Sequence, residues 1–399
     1  MDISTVVKTL NDAAANPDST PEADKAQLLE ACTNLVSAFQ PFDRKLMDLL
    51  FAPLKSIALR LAIDMRLFHA SAPALAKKEN VTLEQLSNET KCEALLIKRV
   101  MRILISMNIF NEIDQDVFQP TPTVALYKYE LPMAQAIIHW TMNMVQVIKL
   151  PDYFAEKGYQ SPTDSMDCPF QYAMGTKLHN FDWVAANPKI QHAYNVMMTI
   201  RTRRSVDSKW FEVFPVERLM AEEPVPEVFL VDIGGGIGHQ TIDFKEHHPE
   251  IGRMIVQDTA SVIDGIKSLP SGIEAMVADF FKPQPICGAK VYFLAHVLHD
   301  WPDKQAKVIL QQVRNAMGPD SVVLLSETVM AERDAPFIAA GMDFTMMAAY
   351  ASLERTEKQF RELLNAAGLE LVKVWSEQKS EKPDAPILGQ SIIEARLKR

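Results

Sequence analysis

The sequence predicts an α/β protein in which a mainly helical amino-terminal region precedes a parallel sheet covered on both faces by helices. Two observations predict this fold. Apolar residues recur at helical spacing over residues 22–40 and 43–63. After Pro224 and Pro226, short apolar runs instead alternate with amphipathic segments. This alternation is typical of parallel strands that are joined by helices.

The two long amino-terminal helices, which we expect to break at Gln40-Pro41, are followed by the pattern of a winged helix. A short helix, a turn, a second helix through Met107 and two short strand-like runs succeed one another. Such a unit can bind DNA, but its second helix offers only a small basic cluster: Lys98, Arg99 and Arg102. Packing or dimer formation is therefore the favoured role.

Helical patterns with large apolar side chains continue from about residue 131 to 206, which predicts a lid or a connecting layer at a substrate pocket. Strand runs then follow in the order VFLVDI, RMIVQD, GIEAMV, KVYFLA and SVVLLSE, with helices between them. A helix at 356–367 and the strands LELVKVWS and QSIIEAR end the chain. The sequence thus predicts three domains, at residues 1–125, 126–210 and 211–399.

Composition excludes several classes of protein. The 399 residues carry 41 Lys and Arg against 51 Asp and Glu, a net charge of −10, which disfavours a nucleic-acid partner. No run approaches the roughly 20 apolar residues of a membrane span, and no signal-peptide pattern is seen, so we expect a cytoplasmic protein without membrane contact. Neither disulfides nor a metal site are expected from four scattered cysteines: Cys32, Cys92, Cys168 and Cys287.

A glycine-rich loop follows the strand VFLVDI. Glycine permits positive φ and lets a ligand approach the backbone, at the strand ends where α/β sheets bind nucleotides. The loop does not match the dinucleotide-binding pattern G-x-G-x-x-G, because the sixth position counted from Gly234 is His239. The spacing that fits is Asp232-x-Gly234-x-Gly236-x-Gly238, in which an acid suits a ligand with an ammonium group. S-adenosylmethionine is thus favoured over a nicotinamide cofactor.

Acidic residues also end the next two strands. Asp258 ends the second strand, where a carboxylate can accept hydrogen bonds from both ribose hydroxyls. Asp279, with Phe280 beside it, ends the third strand, where an adenine would lie.

The fourth strand leads into a histidine that is suited to proton transfer. His299 lies at the carboxyl edge of the predicted sheet and can titrate near neutrality. Glu327 ends the fifth strand, and Glu354 precedes the following helix. The two carboxylates can flank the imidazole, fix its tautomer and favour the imidazolium that forms on proton uptake.

With these residues, the sequence resembles the plant and fungal small-molecule O-methyltransferases. The resemblance rests on the runs DIGGGIG, HDW, SE and ERT and covers most of the chain. It implies a winged-helix dimerisation domain, a helical connector, and a Rossmann-like class I methyltransferase domain that binds S-adenosyl-L-methionine, in a homodimer. The cofactor-binding positions carried over are, from methionine to adenine, Asp232, Gly234, Gly236, Asp258, Asp279 and Phe280. The catalytic positions carried over are His299 as general base and Glu327 and Glu354 as its flanking carboxylates.

The sequence departs from the family at Ala295, because many members carry a basic residue at or next to this position that helps to hold the cofactor. His296 can supply that contact. Some fungal relatives of this fold keep the cofactor as a fixed positive charge and catalyse dehydration or pericyclic ring formation. Those relatives tend to replace the catalytic histidine with arginine or lysine, whereas this sequence keeps His299.

These observations predict an O-methyltransferase that methylates a hydroxyl of a hydrophobic, aromatic or polyketide-like secondary metabolite. His139 and Met346 are candidate substrate-binding residues, and Arg201 or Arg203 can join His139 over a polyketide carbonyl. The alternative is a pericyclase or dehydratase of the same fold that does not consume its cofactor. A third alternative, a non-enzymatic regulatory or DNA-binding protein, is supported by the winged-helix pattern alone.

Overall fold

The structure, a computed structural model, describes residues 2–16, 20–204, 209–220, 226–376 and 390–398. The described chain divides into two compact units, which join in sequence between Ile137 and Ile138. The three-part division expected from the sequence stays a prediction.

The first unit is mainly helical. Its elements are α1 (Ile3–Ala15), α2 (Glu22–Phe39), α3 (Phe42–Asp64), α4 (Leu67–Lys77), β1 (Val81–Thr82), α5 (Leu83–Thr90), α6 (Ala94–Ser106), β2 (Phe110–Asp114), β3 (Val117–Pro120) and a 3₁₀ turn (Pro122–Tyr127). The strands pair antiparallel in the order β1-β3-β2. Helices α5 and α6 followed by the β2–β3 hairpin confirm the predicted winged-helix pattern, and the break between α2 and α3 falls at the predicted proline.

Local signals explain where the winged-helix elements begin. The Thr82 hydroxyl oxygen accepts a hydrogen bond from the Gln85 backbone N–H, and the Thr82 backbone N–H donates to the side-chain oxygen of Gln85, so a capping box starts α5. The apolar faces of the helices and of the hairpin meet in a core that includes the fully buried rings of Phe68, Phe110 and Phe118.

The second unit begins within α7 (Pro132–Ile148) and contains the sheet. Its further helices are α8 (Leu150–Lys157), α9 (Pro169–Met174), α10 (Asn180–Ala185), α11 (Pro188–Arg204), α12 (Trp210–Val213), α13 (Glu217–Met220), α14 (His239–His247), α15 (Ala260–Ile263), α16 (Asp303–Ala316), α17 (Phe337–Tyr350) and α18 (Glu357–Ala367). Its strands are β4 (Val228–Ile233), β5 (Arg253–Asp258), β6 (Ile273–Val277), β7 (Val291–Ala295), β8 (Val322–Thr328), β9 (Leu369–Ser376) and β10 (Gln390–Leu397), with a 3₁₀ turn at Leu298–Asp300.

The described strands of this unit form one sheet in the order β6-β5-β4-β7-β8-β10-β9. Strands β4 to β8 are parallel, and β10 pairs antiparallel with both β8 and β9. Side chains alternate between the faces of a strand. Tyr292 and Leu294 accordingly pack with α16 and α18, whereas Val291 and Phe293 pack on the other face with Trp210. Helices thus cover both faces, as the sequence predicted.

Among the described helices, none is both long enough and apolar enough to cross a bilayer.

Candidate active site

The sheet order creates a crevice at one edge of the sheet. Strands β4 and β7 are neighbours, but the chain leaves β4 toward β5 on one side and leaves β7 toward β8 on the other. At such a switch point the loops after the two strands diverge, and α/β proteins bind ligands between them. The glycine loop follows β4 and the turn with His299 follows β7, so the fold brings the two predicted motifs to the same edge.

The glycine loop is shaped by close backbone packing. A Cβ atom at Gly235 would lie 2.5 Å from the carboxyl carbon of Asp232, which leaves no room for a side chain. Gly236 adopts φ 60°, and its N–H donates to Oδ2 of Asp258 at 2.9 Å. The N–H groups of Gly234 and Gly235 both donate to the carbonyl of Gln257. The loop is therefore tied to the end of β5.

Asp232 is the buried acid beneath this loop, with 1% of its surface exposed. Its Oδ2 accepts a hydrogen bond of 2.6 Å from the hydroxyl of Thr241, while its Oδ1 has no partner among the described residues. Burial raises the pKa of this carboxyl to about 7. An ammonium group would pair with Oδ1 and stabilise the ionised form. The cradle therefore fits the methionine end of S-adenosyl-L-methionine.

The remaining predicted cofactor residues lie along the same edge. Asp258 is half-buried and accepts from Gly236 through Oδ2 and from the Thr259 backbone through Oδ1, at 2.7 Å. Asp279 is exposed. The ring of Phe280 packs edge-on against Trp301, with centroids 5.9 Å apart. Carboxylates and an aromatic face at this edge match what a ribose and an adenine require.

His299 is buried, with 4% of its surface exposed. Its Nδ1 lies 3.0 Å from Oε1 of Glu354. Because a carboxylate can only accept, Nδ1 is the protonated nitrogen and Nε2 of the neutral ring is the basic one. Oδ1 of Asp300 lies 3.5 Å from Nε2. The structure thus brings together His299 and Glu354 as the sequence predicted.

Glu327 is hydrogen-bonded to the turn after β7 and also interacts electrostatically with the imidazole of His299. Its Oε1 accepts from the N–H of Leu298 at 2.8 Å, and its Oε2 has no partner among the described residues. Burial raises the pKa of Glu327 to about 7, an effect that Glu354 increases and His299 opposes. Ligand atoms of His296, His299 and Glu327 lie within 4.8 Å of one another, a spacing compatible with a metal ion. The expectation that no metal is used stays a prediction.

The residue that follows Ala295, the position that departs from the family, has unusual geometry. His296 adopts φ 53°, which is rare for a residue with a side chain. Its ring centroid lies 5.7 Å from that of His299. The strained backbone turns the chain directly after β7 and presents both imidazoles at the sheet edge. Whether His296 replaces the basic group that is missing at Ala295 stays a prediction.

Arg355 contacts the turn that carries His299, and the sequence analysis did not predict this contact. Its side chain is completely buried. It donates to the carbonyls of Leu298 and Trp301, each at 2.8 Å, and to the carboxylate of Asp303. These bonds clamp the turn on both sides of His299. Arg355 belongs to the run ERT on which the family resemblance rests, but the sequence analysis assigned it no role.

Two further residues position the same pair. The backbone N–H of Glu354 donates to Oδ1 of Asp343 at 2.9 Å, and the hydroxyl of Ser352 donates to the carbonyl of His299. A capping box between Thr356 and Gln359 starts α18 immediately afterwards and fixes the chain that carries Glu354. No sequence spacing could have indicated these contacts, since they join separate elements.

The candidate substrate-binding residues lie at a cluster of aromatic rings. His139 packs edge-on against Tyr194 at 5.6 Å, and Tyr194 lies 6.2 Å from Phe181. Met346 packs in the same hydrophobic cluster as Tyr350 and Phe181. The two predicted residues therefore contact one continuous aromatic group, although their binding to substrate stays a prediction. The side chains of Arg201 and Arg203 lie outside the described part of the structure.

Fold and site together define a Rossmann-like protein with a crevice for S-adenosyl-L-methionine. The model of the O-methyltransferase domain family matches residues 149–370, and that of the O-methyltransferase dimerisation domain matches residues 47–128. The chain belongs to the O-methyltransferase family. The fold class and the cofactor predicted from the sequence are thereby confirmed.

Individual proteins support the same conclusion. The chain is 30% identical over 376 residues to demethylsterigmatocystin 6-O-methyltransferase of Aspergillus flavus, and the match covers 94% of each protein. Among solved structures, one described as a pericyclic reaction enzyme superposes with a TM-score of 0.81 at 28% identity, over 100% of both chains. The structure of LepI in complex with S-adenosylmethionine gives a TM-score of 0.80 at 28% identity over 99% of both chains.

Proposed function

We propose that the protein is an S-adenosyl-L-methionine-dependent O-methyltransferase that acts on a hydroxyl of a hydrophobic aromatic or polyketide-like secondary metabolite. One observation carries the proposal: Glu354 holds Nδ1 of a buried histidine, so that Nε2 of His299 is the basic nitrogen. A general base of this kind is needed for transfer to a hydroxyl and has no evident role in a protein that only binds its cofactor.

Each described residue then has a defined role. When bound, S-adenosyl-L-methionine supplies a methyl group on a positively charged sulfur and leaves as S-adenosylhomocysteine. His299 takes the proton of the substrate hydroxyl at Nε2 as the oxygen gains the methyl group. Glu354 stabilises the imidazolium that results. Glu327 and Arg355 hold the turn, so that the imidazole is in place before the substrate arrives.

The aromatic cluster supports the proposed substrate class. Small-molecule sites are mostly apolar with a few polar groups. The ring of Phe181 lies 5.1 to 6.3 Å, between centroids, from three other rings, those of Tyr194, Trp301 and Tyr350. Trp301 adjoins the turn with His299. A flat aromatic substrate stacks well on such side chains. The name of the Aspergillus flavus relative, which describes a 6-O-methyltransferase, agrees with transfer to oxygen.

A second candidate function is a pericyclase or dehydratase that keeps its cofactor. The likeness to the structure described as a pericyclic reaction enzyme, with a TM-score of 0.81, favours this alternative. His299 favours methyl transfer over pericyclic ring formation, because ring formation needs no base that accepts a hydroxyl proton. Dehydration differs from methyl transfer in that it leaves the cofactor unspent.

Incubation with isotope-labelled cofactor and a panel of aromatic phenols separates the two functions. The transferase forms S-adenosylhomocysteine in step with a methylated product, whereas the alternative converts its substrate with every cofactor molecule unspent. We expect His299→Ala to reduce turnover by about a hundredfold or more, the scale of a lost general base. Its affinity for S-adenosylhomocysteine should be unchanged, as measured by calorimetry.

His192→Ala is the matched control, because His192 is exposed on α11. It should keep the full rate. A His299→Ala variant that keeps full turnover would contradict the role of this residue, and product formation without S-adenosylhomocysteine would contradict the proposed activity.

We further infer a homodimer formed through the first unit. The match to the dimerisation model begins within α3 and extends through the 3₁₀ turn after β3. Helices α2 and α3 expose large apolar side chains that a second copy would cover, among them Phe39 (78%), Phe42 (80%), Leu49 (72%) and Leu50 (60%).

A further inference from the structure

Helix α7 carries a row of buried polar side chains. His139, Asn143 and Gln146 follow one another at i, i+4 and i+7, and at most 8% of any of them is exposed. Residues at this spacing share one face of a helix. Buried polar side chains are costly unless they are hydrogen-bonded. The bonds within this row therefore determine what it can bind.

The row fixes the tautomer of His139. Nε2 of Gln146 donates to Oδ1 of Asn143 at 3.1 Å, so that the Asn143 amide nitrogen is the atom that faces His139. This nitrogen lies 3.0 Å from Nε2 of the imidazole. An amide N–H can only donate, and Nε2 therefore accepts. Burial lowers the pKa of His139 to about 4, so the ring is neutral at pH 7 and carries its proton on Nδ1.

The Nδ1–H group is a donor without an acceptor. Among the described residues, Nδ1 of His139 has no hydrogen-bond partner although it is buried. The imidazole packs against Tyr194 at the aromatic cluster, whose rings lead through Phe181 to Trp301 beside the catalytic turn. A buried N–H that is left unpaired is unfavourable. Its position at the end of an aromatic row makes it suited to an oxygen atom of a bound aromatic molecule.

We propose that His139 donates a hydrogen bond from Nδ1 to a carbonyl or ether oxygen of the substrate, and that Asn143 and Gln146 hold the imidazole in the donating tautomer. The substrate is thus an aromatic phenol with a second, hydrogen-bond-accepting oxygen remote from the hydroxyl that is methylated. This inference rests on the proposed function for the reacting hydroxyl and adds the selection of the substrate. His139 is a specificity-determining residue in this scheme, whereas His299 takes the proton.

A pair of ligands that differ at one group tests the inference. 2-Hydroxyfluorenone carries a ring carbonyl, and 2-hydroxyfluorene has the same fused rings without it. Binding of each to the full-length protein saturated with S-adenosylhomocysteine is measured by calorimetry. We expect the ketone to bind the unchanged protein about tenfold more tightly, the scale of one buried hydrogen bond. His139→Phe, which keeps an aromatic ring but has no donor, should bind both ligands equally.

Two further variants complete the test. His192→Phe changes an exposed histidine of α11 and should keep the tenfold preference. His139→Gln restores an amide donor near the position of Nδ1 and should recover a preference of at least about threefold. The unchanged affinity of each variant for S-adenosylhomocysteine verifies that it is folded.

Nitrogen NMR of protein with isotope-labelled histidine reports the tautomer of His139, which would not respond to the ligand if His139 served only in packing. The unliganded protein should show His139 neutral at pH 7 with the proton on Nδ1, and the Nδ1 resonance should shift on binding of the ketone only. Asn143→Leu should produce a mixture of the two tautomers and reduce the preference for the ketone.

Several outcomes overturn the inference: equal affinity or no affinity of the unchanged protein for both ligands, a preference that persists in His139→Phe, or a proton on Nε2. These measurements need no methyl transfer. If the protein selects the ketone through His139 but forms no S-adenosylhomocysteine, the inference stands and the proposed function fails. If it forms S-adenosylhomocysteine but shows no selection through His139, the proposed function stands and the inference fails.

Discussion

At the scale of single residues, three buried acids share one arrangement. Asp232, Glu327 and Glu354 each place one carboxyl oxygen in an internal hydrogen bond, while the second oxygen has no partner among the described residues. The internal bond fixes the orientation of the carboxyl group. The free Oδ1 of Asp232 is then available to a positive charge, which we propose is a ligand ammonium. Glu354 instead contacts His299 through its bonded Oε1, and Glu327 is the second carboxylate near the imidazole.

This arrangement predicts that cofactor affinity depends on pH. Burial raises the pKa of Asp232 to about 7, so the carboxyl is neutral below and ionised above this pH. A ligand ammonium pairs only with the ionised form, and affinity for S-adenosylhomocysteine should rise as the pH rises from 6 to 7.5. Asp232→Asn should weaken binding by about tenfold or more and remove this pH dependence. Calorimetry at several pH values measures both effects.

The control is Asp320→Asn, since Asp320 is exposed. It should leave both the affinity and its pH dependence unchanged. A pH-dependent affinity that survives in Asp232→Asn would show that another group titrates.

At the scale of elements, Arg355 joins the strand-to-helix turn after β7 to the chain before α18. Without the guanidinium, the carbonyls of Leu298 and Trp301 each lose one hydrogen-bond donor. We expect Arg355→Met to lower kcat by about ten- to a hundredfold, since a displacement near 1 Å has effects of this order. The affinity for S-adenosylhomocysteine should change less than about twofold, because Arg355 contacts none of the predicted cofactor residues through its described hydrogen bonds. Steady-state kinetics and calorimetry test the two parts.

Arg361→Met serves as the comparison, because Arg361 lies on the exposed face of α18 and pairs with Glu357. A loss of kcat of equal size in both variants would mean that the effect is one of general stability rather than of the turn.

The glycine loop permits an equally direct prediction. Gly235→Ala brings a Cβ atom to 2.5 Å from the carboxyl group of Asp232, a separation that forces the loop or the acid to move. We expect affinity for S-adenosylhomocysteine to fall by at least about tenfold and Tm to fall by several degrees. Gly252→Ala is the matched control, because a Cβ atom there meets nothing within 4 Å. Similar affinities of the two variants would contradict the packing described here.

At the scale of the whole molecule, the sequence predicted the elements and the two motifs, because both depend on local patterns. Apolar runs placed β4, β5, β7 and β8, and the parallel sheet rule then brought Asp232 and His299 to one edge. Contacts between distant segments carry no such pattern. The hydrogen bond from Arg355 to the Leu298 carbonyl and the bond that fixes the tautomer of His139 are examples. They depend on how helices lie in space and became visible only in the structure.

The proposed homodimer is tested at this scale. Leu50 and Phe51 of α3 are 60% and 57% exposed, and burial of such side chains drives association. The double variant Leu50→Glu, Phe51→Glu should sediment with half the mass of the unchanged protein. Lys55→Glu, at an exposed position of the same helix, should remain dimeric. A monomeric unchanged protein at micromolar concentration would refute the dimer.

The place of β10 in the sheet has a consequence for synthesis of the chain. This strand lies between β8 and β9, but the ribosome makes it after both of them. Translation at about 5–20 residues per second leaves one edge of β8 open for several seconds. Every residue of β8 is buried in the finished fold, and an open apolar edge readily pairs with other chains. The nascent protein therefore passes through an aggregation-prone interval during which Glu327 already lies on a strand that is not yet enclosed.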